Sequence, residues 1–288
     1  MKVSGFTFVR NALRFDYPVV ESIGSILPLC DELIVAVGKS DDGTRELIAS
    51  IQSSKVKIID TIWDDALRAG GQVLAVETNK AMDAISPDSD WAFYIQADEV
   101  IHEKYHDPIR SAMERWVNHR EIEGLLFNYL HFWGSYDYIG DSRRWYRNEV
   151  RIVRNDKHIR SYQDAQGFRK DGRKLKVARA NATVYHYGWV KPPQAQQDKQ
   201  KTFHRYWHND VWMKNKVPKS TEYNYSEMGY LVPFTEGHPA VMKQRIDSQD
   251  WVFQYDHHLG QTTFKEDFLY FIEKNTGWRI GEYKNFKL

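Results

Sequence analysis

The sequence predicts an α/β fold: a doubly wound mixed sheet flanked by helices, with an aromatic-rich, mainly helical C-terminal extension. Three observations predict it. Strand and helix signals alternate as far as Val117, the rhythm of repeated β-α-β units. Some strand signals are short, continuous apolar runs, Leu33-Ile34-Val35-Ala36-Val37 above all, as in strands buried on both faces. From about Glu121 the alternation gives way to strands among polar and aromatic loops, and Pro192-Pro193 then opens a Gln/Lys-rich segment. The expected division is a main domain over 1–190 and an extension over 191–288 packed on it.

The elements follow in order. Val3 to Val9 is β-rich, and a helix is expected near Tyr17 to Leu27. Leu33 to Val37 is the second strand, and Asp42-Gly43-Thr44 leads into a helix over Arg45 to Gln52. Val56 to Ile59 is the third strand. The stretch Gln72 to Ile85 reads as a helix, with Val73, Val76, Ala81, Ala84 and Ile85 on or near one face. Trp91 to Ile95 is the fourth strand. A further helix places Tyr105, Ile109, Met113, Trp116 and Val117 on one face. Gly124 to Phe132, Glu149 to Val153 and Thr183 to Tyr187 are strand signals, the Gln/Lys-rich helix runs to about Lys214, and a last helix spans Phe264 to Lys274. In such a sheet, ligands gather outside the carboxyl ends of the strands, so the loops after Val9, Val37 and Ile95 are the functional candidates.

Composition excludes several classes. With 40 basic and 39 acidic residues, the formal net charge of +1 gives no global field toward nucleic acid or an anionic membrane. No apolar run approaches the ~20 residues of a membrane span, and the N-terminus has no signal-peptide pattern, so a cytoplasmic protein is expected. Cys30 is the sole cysteine, which excludes an intramolecular disulfide. Aromatics reach 14% of residues, and Tyr and Trp stack on sugar faces while offering a polar tip.

The fourth strand runs directly into Gln96-Ala97-Asp98-Glu99. Carboxylates at a buried strand end suit a divalent cation such as Mg²⁺ or Mn²⁺ held against a diphosphate; the alternative is a solvated strand end and helix cap. Gly38-Lys39-Ser40 imitates a phosphate loop, but Leu33 stands where that motif needs its first glycine. His204 and His208 are spaced as in zinc proteases, but Arg205 replaces the required Glu, so an ordinary helix face is expected; His257-His258 is a weaker signal still.

Taken as an ordered set, these segments resemble the GT-A glycosyltransferases, specifically glycosyltransferase family 2. The resemblance rests on Phe8-Val9-Arg10-Asn11, Asp31-Glu32-Leu33-Ile34-Val35, Ser40-Asp41-Asp42-Gly43-Thr44, Thr78-Asn79-Lys80-Ala81 and Gln96-Ala97-Asp98-Glu99, and covers roughly Val3 to Glu103. It implies that 1–190 is a nucleotide-sugar-binding catalytic domain. It implies donor contacts from Arg10, Asn11, Lys80 and Gln96, and metal ligation by Asp98, the last carboxylate of the family's Asp-x-Asp motif. It further implies a late metal-binding histidine, matched best by His186, and a loop carboxylate as catalytic base, for which Asp164 is the candidate and Glu99 and Glu149 are rivals. Two departures stand out: Val37-Gly38-Lys39-Ser40 lacks the family's base-reading Asp, and Gln96 replaces the first Asp of Asp-x-Asp.

The expected activity is therefore transfer of a monosaccharide from a nucleoside-diphosphate sugar to a glycan or other hydroxyl acceptor, inverting and dependent on Mg²⁺ or Mn²⁺. A nucleotidyltransferase of the same fold should carry a Gly-rich basic loop after the first strand, which Arg10 to Arg14 does not supply. A catalytically inactive carbohydrate- or nucleotide-binding relative is the alternative, because of the two departures.

Overall fold

The computed structural model describes residues 1–68, 70–208, 210–216, 220–225, 229–253, 255 and 263–288. The first half holds strands β1 (Val3–Val9), β2 (Glu32–Gly38), β3 (Val56–Thr61) and β4 (Trp91–Tyr94), with helices α1 (Val19–Ile26), α2 (Thr44–Ala49) and α3 (Gln72–Asp83) between them. All three pairings among these strands, β1 with β2, β2 with β3 and β1 with β4, are parallel. Next come β5 (Glu99–Ile101), α4 (His106–Trp116), β6 (Gly124–Trp133), β7 (Tyr138–Gly140) and β8 (Asn148–Arg154). Strand β8 inserts antiparallel between β4 and β6, so the sheet is mixed as expected. A separate small sheet of β9 (Ile159–Tyr162), β10 (Gly167–Lys170) and β11 (Arg173–Lys174) follows, which the sequence patterns did not reveal.

The long strand β12 (Val177–Trp189) pairs parallel with β6 and antiparallel with the short β5. Beyond it lie α5 (Pro193–Arg205), α6 (Asp210–Lys216), β13 (Leu231–Pro233), α7 (Lys243–Asp247) and α8 (Phe264–Thr276). The helix expected to run to about Lys214 is thus two helices, with a turn at Tyr206 to His208. The segment after 190 is mainly helical, but β13 joins the main sheet beside β7, and Lys176 bridges Lys287 near the C-terminus.

Continuous apolar strands form because both faces are covered. Leu33, Val35 and Val37 point into one core with α1 and α4, while Ile34 and Ala36 point into the other with α3 and the small sheet. Gly38 at the end of β2 is a close approach: a Cβ there would lie 2.4 Å from Trp63 Nε1. That contact brings Trp63 to the carboxyl end of the sheet. Among the described residues, no helix is long and apolar enough to cross a membrane.

Candidate active site

A cavity of about 320 Å³ opens at the carboxyl ends of β1 and β4, where the sheet order reverses direction. Val9 and Arg10 form one side, Gln96, Ala97 and Asp98 another, and His186 and Trp189 of β12 a third. Helix α5 and the turn after it close the cavity with Lys199, Gln200, Phe203, Tyr206 and Trp207. Trp63 packs 5.7 Å from both Phe8 and Tyr206, so the wall beside Arg10 is aromatic. Two buried donors of this wall, Arg10 Nε and Trp63 Nε1, have no hydrogen-bond partner among the described residues. Trp63 Nε1 faces the backbone at Gly38 and not the cavity.

The adjacent carboxylates Asp98 and Glu99 do different work. Glu99 is fully buried; it accepts from Arg151 Nη2 at 2.7 Å and Nε at 2.8 Å, from the Tyr129 hydroxyl at 2.7 Å, and from the Gln96 backbone at 3.1 Å. With both oxygens saturated, Glu99 is a structural anchor and is set aside as a base. Asp98 lines the cavity. Its Oδ2 accepts from Lys199 Nζ at 3.0 Å, and its Oδ1 lies 3.9 Å from His186 Nε2. Burial alone would raise the Asp98 pKa, but the cationic surroundings, Lys199 above all, overcome it and hold the carboxyl well below its ordinary range. The solvated strand end is thereby excluded: Asp98 is a buried carboxylate in a cationic pocket.

Strand register explains the meeting. His186 pairs with Glu99 across the β5–β12 ladder and with His131 across the β6–β12 ladder. Two histidines and the Asp98 turn are thus brought together from three distant segments. The ring protons can be assigned by elimination. His131 Nε2 lies 2.8 Å from the Tyr146 carbonyl, which only accepts, so Nε2 carries the hydrogen. Burial lowers both histidine pKa values, keeping the rings neutral, so His131 Nδ1 is a lone pair that receives His186 Nδ1–H at 3.0 Å. His186 Nε2 is then a bare lone pair facing the Asp98 carboxylate. Gly188 is required beside it, since a Cβ there would lie 2.6 Å from His186 Nε2 and 2.8 Å from Asp98 Oδ2.

Two acceptor atoms converging with no hydrogen between them suit a cation. A carboxylate oxygen and an imidazole nitrogen are ligands for Mn²⁺ or Mg²⁺ with phosphate oxygens completing the shell. The described residues contain no group of three or more His, Cys, Asp or Glu able to hold a metal. The protein's own contribution is a pair, which fits an ion shared with a bound diphosphate.

A second, polar cavity of about 410 Å³ adjoins the first, and Tyr146, Asp164 and Gln166 line both. Asp164 therefore stands at the junction, although its Oδ1 only reaches the Gln166 backbone at 3.4 Å. Glu149 lines the second cavity; its Oε1 accepts from Gln166 at 2.9 Å, and burial raises its pKa to about 7.

Other sequence candidates are placed differently. Arg10 and Gln96 line the first cavity, and the Gln96 amide donates to Ala165 O and the Tyr94 hydroxyl, both at 3.3 Å. Asn11 is not in the cavity wall; it adopts φ 55° and donates its backbone N–H to Ser40 Oγ, tying the loops after β1 and β2 together. Lys80 does not line the cavity either. Its ammonium pairs with Glu77 at 2.6 Å and Ile62 O at 3.2 Å, on the flank of α3. The loop after Val37 is likewise outside the wall, because Trp63 and Arg10 cover Gly38. His204 and His208 pack against Trp212 as an ordinary surface, and His257-His258 lies outside the described residues.

Sequence reasoning missed Lys199, Lys191, His131 and Trp63. For Lys199 a signal existed: Gln196, Lys199, Gln200 and Phe203 recur at helical spacing, and α5 buries Gln196 and Lys199 on that face. A helix that buries polar side chains is facing something polar. The stretch that begins at His131 suggests an acceptor cleft by its sequence, but nothing there points to a partner for His186, and Trp63 carried no signal.

No protein-family model and no curated protein matches the chain. Solved structures similar to it include TarS of S. aureus, at 12% identity over 70% of this chain and 39% of that one, with a TM-score of 0.38. Glucosyl-3-phosphoglycerate synthase of Mycobacterium tuberculosis, in complex with Mn²⁺, UDP and glucosyl-3-phosphoglycerate, matches at 17% over 46% of this chain and 45% of that one, TM-score 0.31. 4-Diphosphocytidyl-2C-methyl-D-erythritol synthase of Anaerococcus prevotii matches at 12% over 71% and 95%, TM-score 0.40. The chain thus spans less than half the length of the first two. At these values the likeness carries nothing about the site or its chemistry.

Proposed function

We propose that the chain is a GT-A glycosyltransferase that moves a monosaccharide from a nucleoside-diphosphate sugar to a hydroxyl acceptor, with inversion and with a divalent cation. The observation that carries this is the pair of adjoining cavities. One is aromatic-walled, with Asp98 and the bare His186 nitrogen in it; the other is polar, and Asp164 stands between them. An aromatic wall beside Arg10 suits a nucleotide base and its sugar. Asp98 and His186 would hold Mg²⁺ or Mn²⁺, which when bound supplies charge neutralisation to the departing diphosphate.

The chain's own residues then divide the chemistry. The acceptor oxygen attacks the anomeric carbon as the bond from that carbon to the diphosphate oxygen breaks, and the bonding pair leaves with the nucleoside diphosphate. The Asp164 carboxylate takes the hydroxyl proton. Arg151 and Glu99 fix the turn that carries Asp98, so the carboxylate is positioned before the donor arrives.

The test is a calorimetric screen of nucleoside diphosphates and their sugars with and without Mn²⁺, followed by a transfer assay with the donor found. Asp98→Ala should lose at least about 10²-fold in turnover with its fold retained, read from circular dichroism. A fully active variant removes Asp98 from the chemistry, and a chain that binds no nucleotide overturns the transferase.

One observation favours a second reading, a nucleotide-binding protein without turnover: an ammonium, that of Lys199, already sits on Asp98. Tight nucleotide binding with no transfer to any acceptor would select it.

A further inference from the structure

Lys199 is buried on α5 and holds two groups, Asp98 Oδ2 and the Gly188 carbonyl, each at 3.0 Å. Phe203 of the same helix packs against the main core, and the Gly188 bond ties α5 to the end of β12, so Asp98 is the partner of Lys199 that a ligand can replace. The ammonium also lies 5.0 Å from the Tyr17 ring, and a second buried lysine, Lys191, lies 4.6 Å from the same ring while bonding Phe15 O at 3.0 Å. Lys199 thus sits on Asp98, which with Asp164 is one of two carboxylates lining the cavity, and Lys191 lies behind Tyr17. A dication entering beside Asp98 alone meets a carboxylate already paired with an ammonium, which opposes its binding.

A nucleoside diphosphate reverses that balance. It brings negative charge to the same wall and offers phosphate oxygens to the Lys199 ammonium, whose four-carbon stem lets it exchange one oxygen partner for another. Asp98 Oδ2 is then released. We propose that Lys199 is a tethered cation that competes with divalent metal for Asp98 and makes metal binding conditional on the nucleotide. This rests on the transferase reading above and adds an ordered loading to it. Linkage requires the converse as well: metal and nucleotide strengthen each other's binding by the same factor. Lys199 is here a positioning residue for the cation.

The experiment is a titration of the full chain with Mn²⁺, followed by the electron paramagnetic resonance of the free ion, with and without UDP. The wild type should bind Mn²⁺ weakly alone and about tenfold or more tightly with UDP. Lys199→Met should bind Mn²⁺ alone about tenfold more tightly and lose most of the UDP enhancement. Lys199→Arg, which keeps the charge, should behave as the wild type, and it carries the test should the methionine variant fold poorly. Unchanged or weaker Mn²⁺ binding in Lys199→Met, or free Mn²⁺ binding in Lys199→Arg, overturns the inference. Absence of binding by every nucleoside diphosphate in the calorimetric screen would sink the transferase instead, while the nucleotide-free Mn²⁺ titration still judges Lys199.

Discussion

Two charge clusters sit side by side at the end of β4, and they are built to opposite purposes. Around Glu99, the guanidinium of Arg151 and the hydroxyl of Tyr129 saturate both carboxylate oxygens, and no lone pair is left for a ligand. Around Asp98, one residue away, the partners are a flexible lysine at 3.0 Å and a histidine whose facing nitrogen lacks a hydrogen. A closed cluster fixes geometry; an open one waits for a charge. Burial does not tell the two apart, since both carboxylates are enclosed. The number of hydrogen bonds each already makes does.

Breaking the closed cluster should have the largest effect. Glu99→Gln leaves Arg151 buried with its charge uncompensated and should cost about 3–5 kcal/mol of stability, read from urea unfolding. Little change in the unfolding midpoint would show that the two clusters are less different than their hydrogen bonds imply.

Glu149 sharpens the comparison, because it is a third buried carboxylate without a full set of cations. Burial raises its pKa from 4.5 to about 7 in the folded chain. The folded state therefore binds more protons than the unfolded one between those values. Stability from this group is full below pH 4.5 and is lost as pH rises through 7, by about 3 kcal/mol in all. Glu149→Gln should flatten the unfolding profile between pH 5 and 8 and be relatively more stable than the wild type at the upper end. An unchanged profile would mean that Glu149 ionises at its ordinary value.

The smallest effect belongs to the open cluster's support. His131→Phe keeps a ring against Trp145 but removes the lone pair that orders His186 Nδ1–H. Without it His186 is free to turn its protonated nitrogen toward Asp98, and Mn²⁺ affinity in the presence of UDP should fall about 10–100-fold. Unaltered affinity would separate His186 from the cation.

The architecture was largely legible in the sequence for a physical reason. Strands buried on both faces must be apolar throughout, so Leu33 to Val37 and Trp91 to Ile95 declare themselves locally. Asp98 was legible too, since a carboxylate at the end of such a run is expensive without a partner. The small sheet over 159–174 was not, because its strands are short and their polar residues alternate little. Lys80 and Asn11 show the limit of motif matching: both have the expected spacing, but one pairs within its own helix and the other joins two loops.

By itself the sequence determined the alternation of elements, the apolar core, the carboxyl-end location of the site and the candidacy of Asp98, His186 and Asp164. Only the tertiary structure decided what surrounds Asp98. Lys199 is 101 residues away, and His131 meets His186 across 55, so no window of local sequence contains either contact. Hydrogen-bond direction depends on which atoms face each other after the strands take register, and the proton positions that leave His186 Nε2 bare follow from that register together with the Tyr146 carbonyl and the burial of both rings.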